Sequence, residues 1–313
     1  MIEISHLTKK YGTHVAVDDL NLTIEPGRIY GFLGPNGAGK STTMNMITGY
    51  LGATEGTIKI NGFDILAQPE DAKKCIGYLP ELPPLYMDMT VEEYLLFAAE
   101  LKKIPKGKRK PYVEDAMATT KITDMRGRLI KNLSKGYRQR VGLAQAVLGY
   151  PEVIILDEPT VGLDPKQIIE IRDLIQSLGK KHTVILSSHI LSEVRAVCDY
   201  IFIISHGKLV ASEETEELVE RMSGGQVIEL KLKAEEEKVK EVFADAEHIT
   251  AVETKELPED GVTEVTVTAE KNKDVREEIF HICAESDMSI LEMINSGKSL
   301  EDIFLELTSK EEE

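Results

Sequence analysis

Gly34-Pro35-Asn36-Gly37-Ala38-Gly39-Lys40-Ser41, or GPNGAGKS, satisfies the pattern G-x-x-x-x-G-K-[ST] at every fixed position. Each fixed residue has a physical task. The glycines let successive backbone N–H groups converge on a β-phosphate, Lys40 adds a point charge near the β- and γ-phosphates, and Ser41 offers a hydroxyl to Mg²⁺. The flanks agree: the apolar run Ile29 to Leu33 reads as a strand, and Thr42 to Thr48 as a helix, so the phosphates meet a helix N-terminus. The chain is therefore expected to bind a nucleoside triphosphate, with Gly34 to Thr42 as the cradle.

A second segment supplies acids. Val153 to Glu158, VIILDE, is a short β-branched strand ending in two carboxylates, which places Asp157 and Glu158 at the C-terminal edge of a buried sheet, where the phosphate loop also lies. Asp157 is expected to hold the Mg²⁺ shell, directly or through water. Glu158 is placed to orient or deprotonate the attacking water.

Between these two lies NLSKGYRQRVGLAQAV, Asn132 to Val147. Here the chain resembles the ATP-binding subunits of ABC transporters, whose LSGGQ-like signature reads LSKGY, Leu133 to Tyr137. The resemblance implies an α/β P-loop ATPase domain with an antiparallel β subdomain and a helical subdomain. It also implies ATP and Mg²⁺ as ligands and a head-to-tail dimer, in which Ser134 and the Gly136 N–H reach the γ-phosphate held by the other subunit, as helix N-termini favour anions. Tyr11 resembles the aromatic that stacks on adenine, Asp164 in VGLDP the residue that communicates across the dimer, and His189 in LSSHI the histidine that contacts the γ-phosphate. Two copies, identical or related, would close around two ATP and drive a separate transmembrane permease from the inner face of the cell membrane. The segment Glu81 to Thr90, with Pro83 and Pro84, is expected to be extended and to relay that movement.

Three positions depart from the usual family pattern. Glu81, in GYLPELPPLY, stands where Gln is usual; it is a candidate Mg²⁺ ligand or a charge that weakens the approach of the triphosphate. Lys135 replaces a Gly and Tyr137 a Gln in the signature. These changes resemble the branch of bacterial ATPases serving drug, sodium and polysaccharide-type exporters, as does the ending SLEDIFLELT. A rival reading is a soluble ABC ATPase acting on a macromolecular assembly, and an importer subunit is a third. The single phosphate loop argues against a tandem translation-type ATPase. Only 93 residues separate Lys40 from Ser134, too few for the long coiled coil of a chromosome-maintenance ATPase.

The 313 residues, 42% hydrophobic, are enough for about two domains. No apolar run approaches the roughly 20 residues needed to span a bilayer, and MIEISHLTKKYG does not read as a secretory signal. Cys75, Cys198 and Cys283 are scattered and suggest neither disulfides nor zinc. Residues 221–313 carry 11 basic and 25 acidic side chains, and so hold −14 of the net −17. Lys102 to Arg140 is the opposite, with 13 basic and 3 acidic residues. That stretch reads as a solvated helical face with a basic loop, KKIPKGKRK, or as a contact for anionic lipid or an acidic partner surface; nucleic acid is not expected, since the chain is acidic and the run lacks interleaved aromatics.

Residues 1–220 are expected to form the ATPase, with a helical insert from about Thr90 to Val147. The run Ser212 to Leu218 and the Ser223-Gly224-Gly225 triplet mark its end. Residues 226–313 read as a small α+β domain: the order β-α-β-β-α-β, with alternating VIELKLK and EVTVT, suggests a ferredoxin-like sandwich. A PEDG turn at Pro258 to Gly261 and a last helix, Leu300 to Leu307, capped from Ser299, complete it.

Overall fold

The computed structural model describes residues 1–222, 227–244, 246–257, 261–270 and 273–295. The chain opens with β1 (Ile2–Tyr11), β2 (His14–Ile24), β3 (Ile29–Leu33), α1 (Lys40–Ile47), β4 (Glu55–Ile60), β5 (Phe63–Asp64), α2 (Pro69–Lys74) and β6 (Ile76–Leu79). A helical insert follows: α3 (Val91–Leu101), α4 (Lys106–Thr119) and α5 (Lys135–Val147). The chain returns through β7 (Val153–Asp157), α6 (Pro165–Gly179), β8 (Thr183–Ser188), α7 (Leu191–Arg195), β9 (Tyr200–Ser205), β10 (Lys208–Glu214) and α8 (Thr215–Met222).

Two sheets divide these strands by their burial patterns. β3 and β7 are buried at all five residues and β8 at all six, as central parallel strands covered on both faces must be. They lie in a six-stranded sheet of order β10-β9-β3-β8-β7-β6, parallel except for the β9–β10 edge pair. β1, β2 and β4 alternate instead and form an antiparallel sheet of order β2-β1-β4-β5. Its inward residues Ile2, Leu20 and Ile60 share one core with Phe32 and Phe202 of the larger sheet. The turn between β4 and β5 has positive φ at both Asn61 and Gly62, which matches the right-handed twist of a two-residue hairpin.

The insert differs from expectation at its start. The basic run Lys102 to Lys110 is a loop only as far as Pro105; from Lys106 it is the first turn and a half of α4, with Pro111 tolerated inside. Lys and Arg are good helix formers, and their charges need only solvent on one face. Lys102 is not solvated in the same way. Its ammonium donates to the carbonyls of Ala146 at 3.1 Å and Leu148 at 2.8 Å, at the C-terminal end of α5, and burial pushes its pKa down to about 8.

This lysine makes stability depend on pH. The unfolded chain binds the proton up to about 10.5 and the folded chain only up to about 8, so stability rises with pH between those values. The cost relieved is about 3 kcal/mol. A Lys102→Met protein should lose this rise, and urea midpoints of both proteins at pH 7.5 and 9.5 check it; parallel shifts in the two would contradict it.

By internal contacts the chain divides into two compact units, Met1–Thr215 and Glu216–Glu313. The acidic run Ser212 to Leu218 straddles the division as the end of β10 and the start of α8. The second unit contains β11 (Val227–Lys233), α9 (Glu236–Phe243), β12 (Ile249–Glu256), β13 (Val262–Ala269), α10 (Arg276–Glu285) and β14 (Ser289–Asn295). Its sheet has the order β12-β13-β11-β14, antiparallel throughout. Ile228, Leu230, Leu232, Val265 and Val267 pack against Val239 and Phe243 of α9 and Ile279 and Cys283 of α10. The Ser223-Gly224-Gly225 triplet, most of the PEDG turn and the Leu300 to Leu307 helix lie outside the described residues.

Candidate active site

Three strands ending in step build the site. In the parallel register Asp157 stands beside Ser187 and Leu33 beside Ser188. The residues that follow, Gly34 after β3, Glu158 after β7 and His189 after β8, therefore emerge side by side at the C-terminal edge, where ligands of open α/β sheets sit.

The phosphate loop is shaped by what surrounds it. Gly34 has no room for a side chain, since a Cβ would come 2.2 Å from the Ile204 carbonyl oxygen. Gly39 combines φ of 102° with a Cβ position 2.5 Å from the Ala16 oxygen, so only glycine can introduce α1 here. Lys40, the first residue of α1, is buried and donates from Nζ to the carbonyls of Gly34 at 2.8 Å and Pro35 at 3.1 Å. Burial lowers its pKa, and the Glu158 carboxylate, 3.6 Å away, opposes that shift.

The two acids are held differently. Asp157 accepts from the Ser41 hydroxyl at 3.2 Å and the Ser187 hydroxyl at 2.5 Å. Glu158 has φ of 46°, a left-handed conformation that is uncommon for a residue with a side chain. Its N–H is pinned to Ser187 Oγ at 2.9 Å, and its carboxylate meets His189 Nδ1 at 3.1 Å. Backbone strain of this kind persists only where the surroundings hold it. Ser187 thus orients the Asp157 carboxylate and holds the backbone that carries Glu158. Removing its buried hydroxyl in Ser187→Ala is expected to cost about 1–3 kcal/mol of stability and to lower ATP turnover, measured by urea unfolding and phosphate release; unchanged turnover would show that Ser187 orients neither acid.

Gly39, Lys40, Ser41, Glu158 and His189 line a cleft of about 430 Å³ together with Tyr11, Asn36, Glu81 and Val161, while Asp157 and Ser187 stand behind its wall. A larger cavity of about 560 Å³ between α2 and the end of α3 offers lysines, but Lys74 is paired with Asp71 and Lys103 with Glu70, and no phosphate-binding loop enters it.

Comparison with known proteins agrees with this geometry. The ABC transporter family matches residues 17–161. The chain is 35% identical to the bacitracin transport ATP-binding protein BcrA of Bacillus licheniformis over 98% of its own length and 97% of the relative's. It is 29% identical to the linearmycin resistance ATP-binding protein LnrL of Bacillus subtilis (strain 168) over 99% of each chain. A solved ATP-binding subunit of an ABC transporter superposes with a TM-score of 0.64 at 28% identity, over 71% of this chain and 92% of that one. The chain is an ABC transporter ATP-binding subunit.

As an ABC ATPase it hydrolyses ATP to power transport, and the rival reading of a soluble assembly ATPase falls away. The elements of the ATPase fall into two groups. Tyr11, half exposed and with Lys9 Nζ 5.3 Å from its ring centroid, lies on the cleft wall with His189 and Glu81. Ser134 and Gly136 do not line that cleft. Ser134 caps α5, accepting from the Tyr137 N–H at 3.4 Å, and Asp164 caps α6, accepting from the Gln167 N–H at 3.0 Å.

Several residues that shape the ABC site carry no motif. Besides Ser187, buried Glu193 accepts from Thr160 Oγ1 at 2.5 Å and Ser188 Oγ at 3.3 Å, and Gln139 donates to the Pro159 carbonyl at 3.1 Å. The one signal available for Ser187 was its place at the end of a buried strand, two residues before His189.

Proposed function

We propose that Glu158 is the general base of ATP hydrolysis and His189 the group that orients it. The observation that carries this is the position of the Glu158 carboxylate, between Lys40 Nζ and His189 Nδ1 at the strand edge, on a backbone fixed by Ser187. A buried carboxylate held by two nitrogen groups and facing the phosphate cradle can accept a proton from water as it attacks the γ-phosphate. The Gly34–Thr42 backbone and Lys40 hold the β- and γ-phosphates, and Tyr11 offers its exposed ring to adenine.

The oxygen donors Ser41 Oγ and Asp157 Oδ1 already converge, 3.2 Å apart, which fits a hard cation that takes one or two protein oxygens and completes its shell with phosphate and water. Mg²⁺ held there by Ser41 and Asp157 neutralises phosphate charge when bound. Glu81, near enough for its charge to oppose slightly the lowering of the Lys40 pKa by burial, sits on the same wall as a further acceptor for that shell.

Because Ser134 and Gly136 lie outside their own cleft, we infer that they serve the cleft of a second copy or a related ATPase, with Asp164 at the same interface. Closure around two ATP then moves a separate membrane-spanning permease. Among the described residues no helix is long and apolar enough to cross a membrane; the similarity to a transport ATP-binding protein along nearly the whole chain supports a peripheral position on the inner face, beside that permease. The similarity to bacitracin and linearmycin-resistance ATPases along nearly the whole chain supports export of an antibiotic-type compound. The β12-β13-β11-β14 order with two helices supports a ferredoxin-like accessory domain from about residue 226, apart from the chemistry of residues 1–220.

With Mg-ATP, the Glu158→Gln protein is expected to accumulate as a dimer and the Glu158→Gln/Ser134→Arg protein to stay monomeric with ATP bound. Sedimentation with nucleotide detection measures both, and a stable dimer of the double variant would contradict the cross-subunit role.

A further inference from the structure

The sheet stops holding β7 and β8 together just where the chemistry begins. Their paired register runs only as far as Asp157 beside Ser187, and at Glu158 the chain turns to φ of 46°, out of strand geometry. Beyond that point the spacing of the Glu158 and His189 segments has to be set by side chains. The Ser187 hydroxyl supplies one tie, to the Glu158 N–H. Glu193 supplies another, further along both segments.

Glu193 lies in α7, which packs against β3 and β8 with Leu191 and Val194 buried, and is itself only 7% exposed. Its Oε2 accepts from Thr160 Oγ1 at 2.5 Å and from Ser188 Oγ at 3.3 Å. Thr160 follows Glu158 by two residues and Ser188 directly precedes His189, so one carboxylate oxygen gathers the two segments that carry the catalytic pair. Ser188 Oγ in turn accepts from the Ile190 N–H at 3.1 Å, which bridges across His189. Both hydroxyl residues are buried, and among the described residues Glu193 forms no ion pair. A buried carboxylate without a cation is costly to desolvate, and an apolar side chain of the same length would pack here without that cost.

We propose that Glu193 is a positioning residue for ATP hydrolysis: by holding the Thr160 and Ser188 hydroxyls on one oxygen, it keeps His189 Nδ1 within hydrogen-bond reach of the Glu158 carboxylate, 3.1 Å away. This rests on the reading of Glu158 as base and His189 as the group that orients it. Glu193 does not line the cleft and acts only through these two neighbours. A carboxylate suits the task, because a single oxygen takes two donors at once. The phosphate loop is outside this network, so the binding of nucleotide is not its concern.

The test is a kinetic double-mutant cycle between Glu193 and His189, reading kcat by steady-state phosphate release and binding by a fluorescent ATP analogue. Glu193→Met, which keeps the length of the side chain and removes the acceptor, is expected to lower kcat about tenfold with analogue affinity within about twofold of wild type. Glu193→Gln should stay within about threefold of wild-type turnover, because an amide oxygen accepts from the same hydroxyls. In a His189→Ala background Glu193→Met should lower kcat by less than about twofold, since the contact it positions is already gone. Thr160→Val, which withdraws one donor and keeps the shape, should lower kcat about threefold and be masked by His189→Ala in the same way, so it carries the cycle should Glu193→Met not fold. Turnover of Glu193→Met within about twofold of wild type, losses that multiply with that of His189→Ala, or a parallel loss of nucleotide affinity would overturn the proposal. If His189→Ala alone turns over ATP at the wild-type rate, the orienting role of His189 fails, and this role with it.

Discussion

Glu158→Gln is expected to slow ATP turnover by about two to four orders of magnitude, the usual contribution of a positioned general base, with nucleotide affinity nearly unchanged. The exchange is nearly isosteric, so the left-handed backbone and the Glu158 N–H bond to Ser187 persist. What disappears is the acceptor for the proton. The phosphate cradle is assembled from other residues: the Gly34–Ala38 backbone, Lys40 and Ser41 depend on Asp157 and α1, and on Glu158 only through the 3.6 Å contact to Lys40. The separation therefore falls between kcat and binding. Steady-state phosphate release beside equilibrium binding of a fluorescent ATP analogue measures it, and wild-type turnover in the variant would remove Glu158 from the chemistry.

Lys40→Ala is expected to produce the reverse pattern, a loss of triphosphate affinity of about a hundredfold. Hydrogen bonds from a charged donor contribute about 1.5–3 kcal/mol, and a second effect adds to this one. Lys40 pairs with Glu158 at 3.6 Å, and it also feels the charge of Asp157 and Glu81. Its removal leaves three carboxylates facing an anionic ligand with less positive charge to offset them. The same analogue titration reads the loss, which should grow with each added phosphate in the series of mono-, di- and triphosphate. Triphosphate affinity within threefold of wild type would show that the backbone N–H groups alone hold the phosphates.

Sequence carried the parts of this protein whose geometry is local. GPNGAGKS fixes its own loop, because the glycines, the lysine and the following helix act within a dozen residues. The run Ile29 to Leu33 appears as a strand with the limits its composition sets, and Val153 to Glu158 does so except that the strand ends at Asp157, where Glu158 turns to positive φ. Ser187 and Glu193 were not legible, because their roles depend on β8 lying between β3 and β7, a fact of sheet order that no local pattern states. The start of α4 was hidden for a different reason. The run KKIPKGKRK reads as a basic loop, yet Pro105 is the residue that caps the helix and Pro111, just beyond the run, is absorbed inside it.

The shared ending of β3, β7 and β8 also determines where this chain can accept extra residues. Side chains alternate along a strand, so one inserted residue in β8 would turn Ser187 away from Asp157 and aim its neighbour there instead. A single-residue insertion anywhere from Thr183 to Ser188 therefore abolishes the alignment even when its composition suits a strand. In the hairpin tip of the other sheet Asn61 is partly buried and bonded to Met1 and to Glu152 ahead of β7, but the next residue, Gly62, is exposed with open space around its Cβ position and sets no register in the sheet of β8. A fluorescent tag or affinity peptide belongs there.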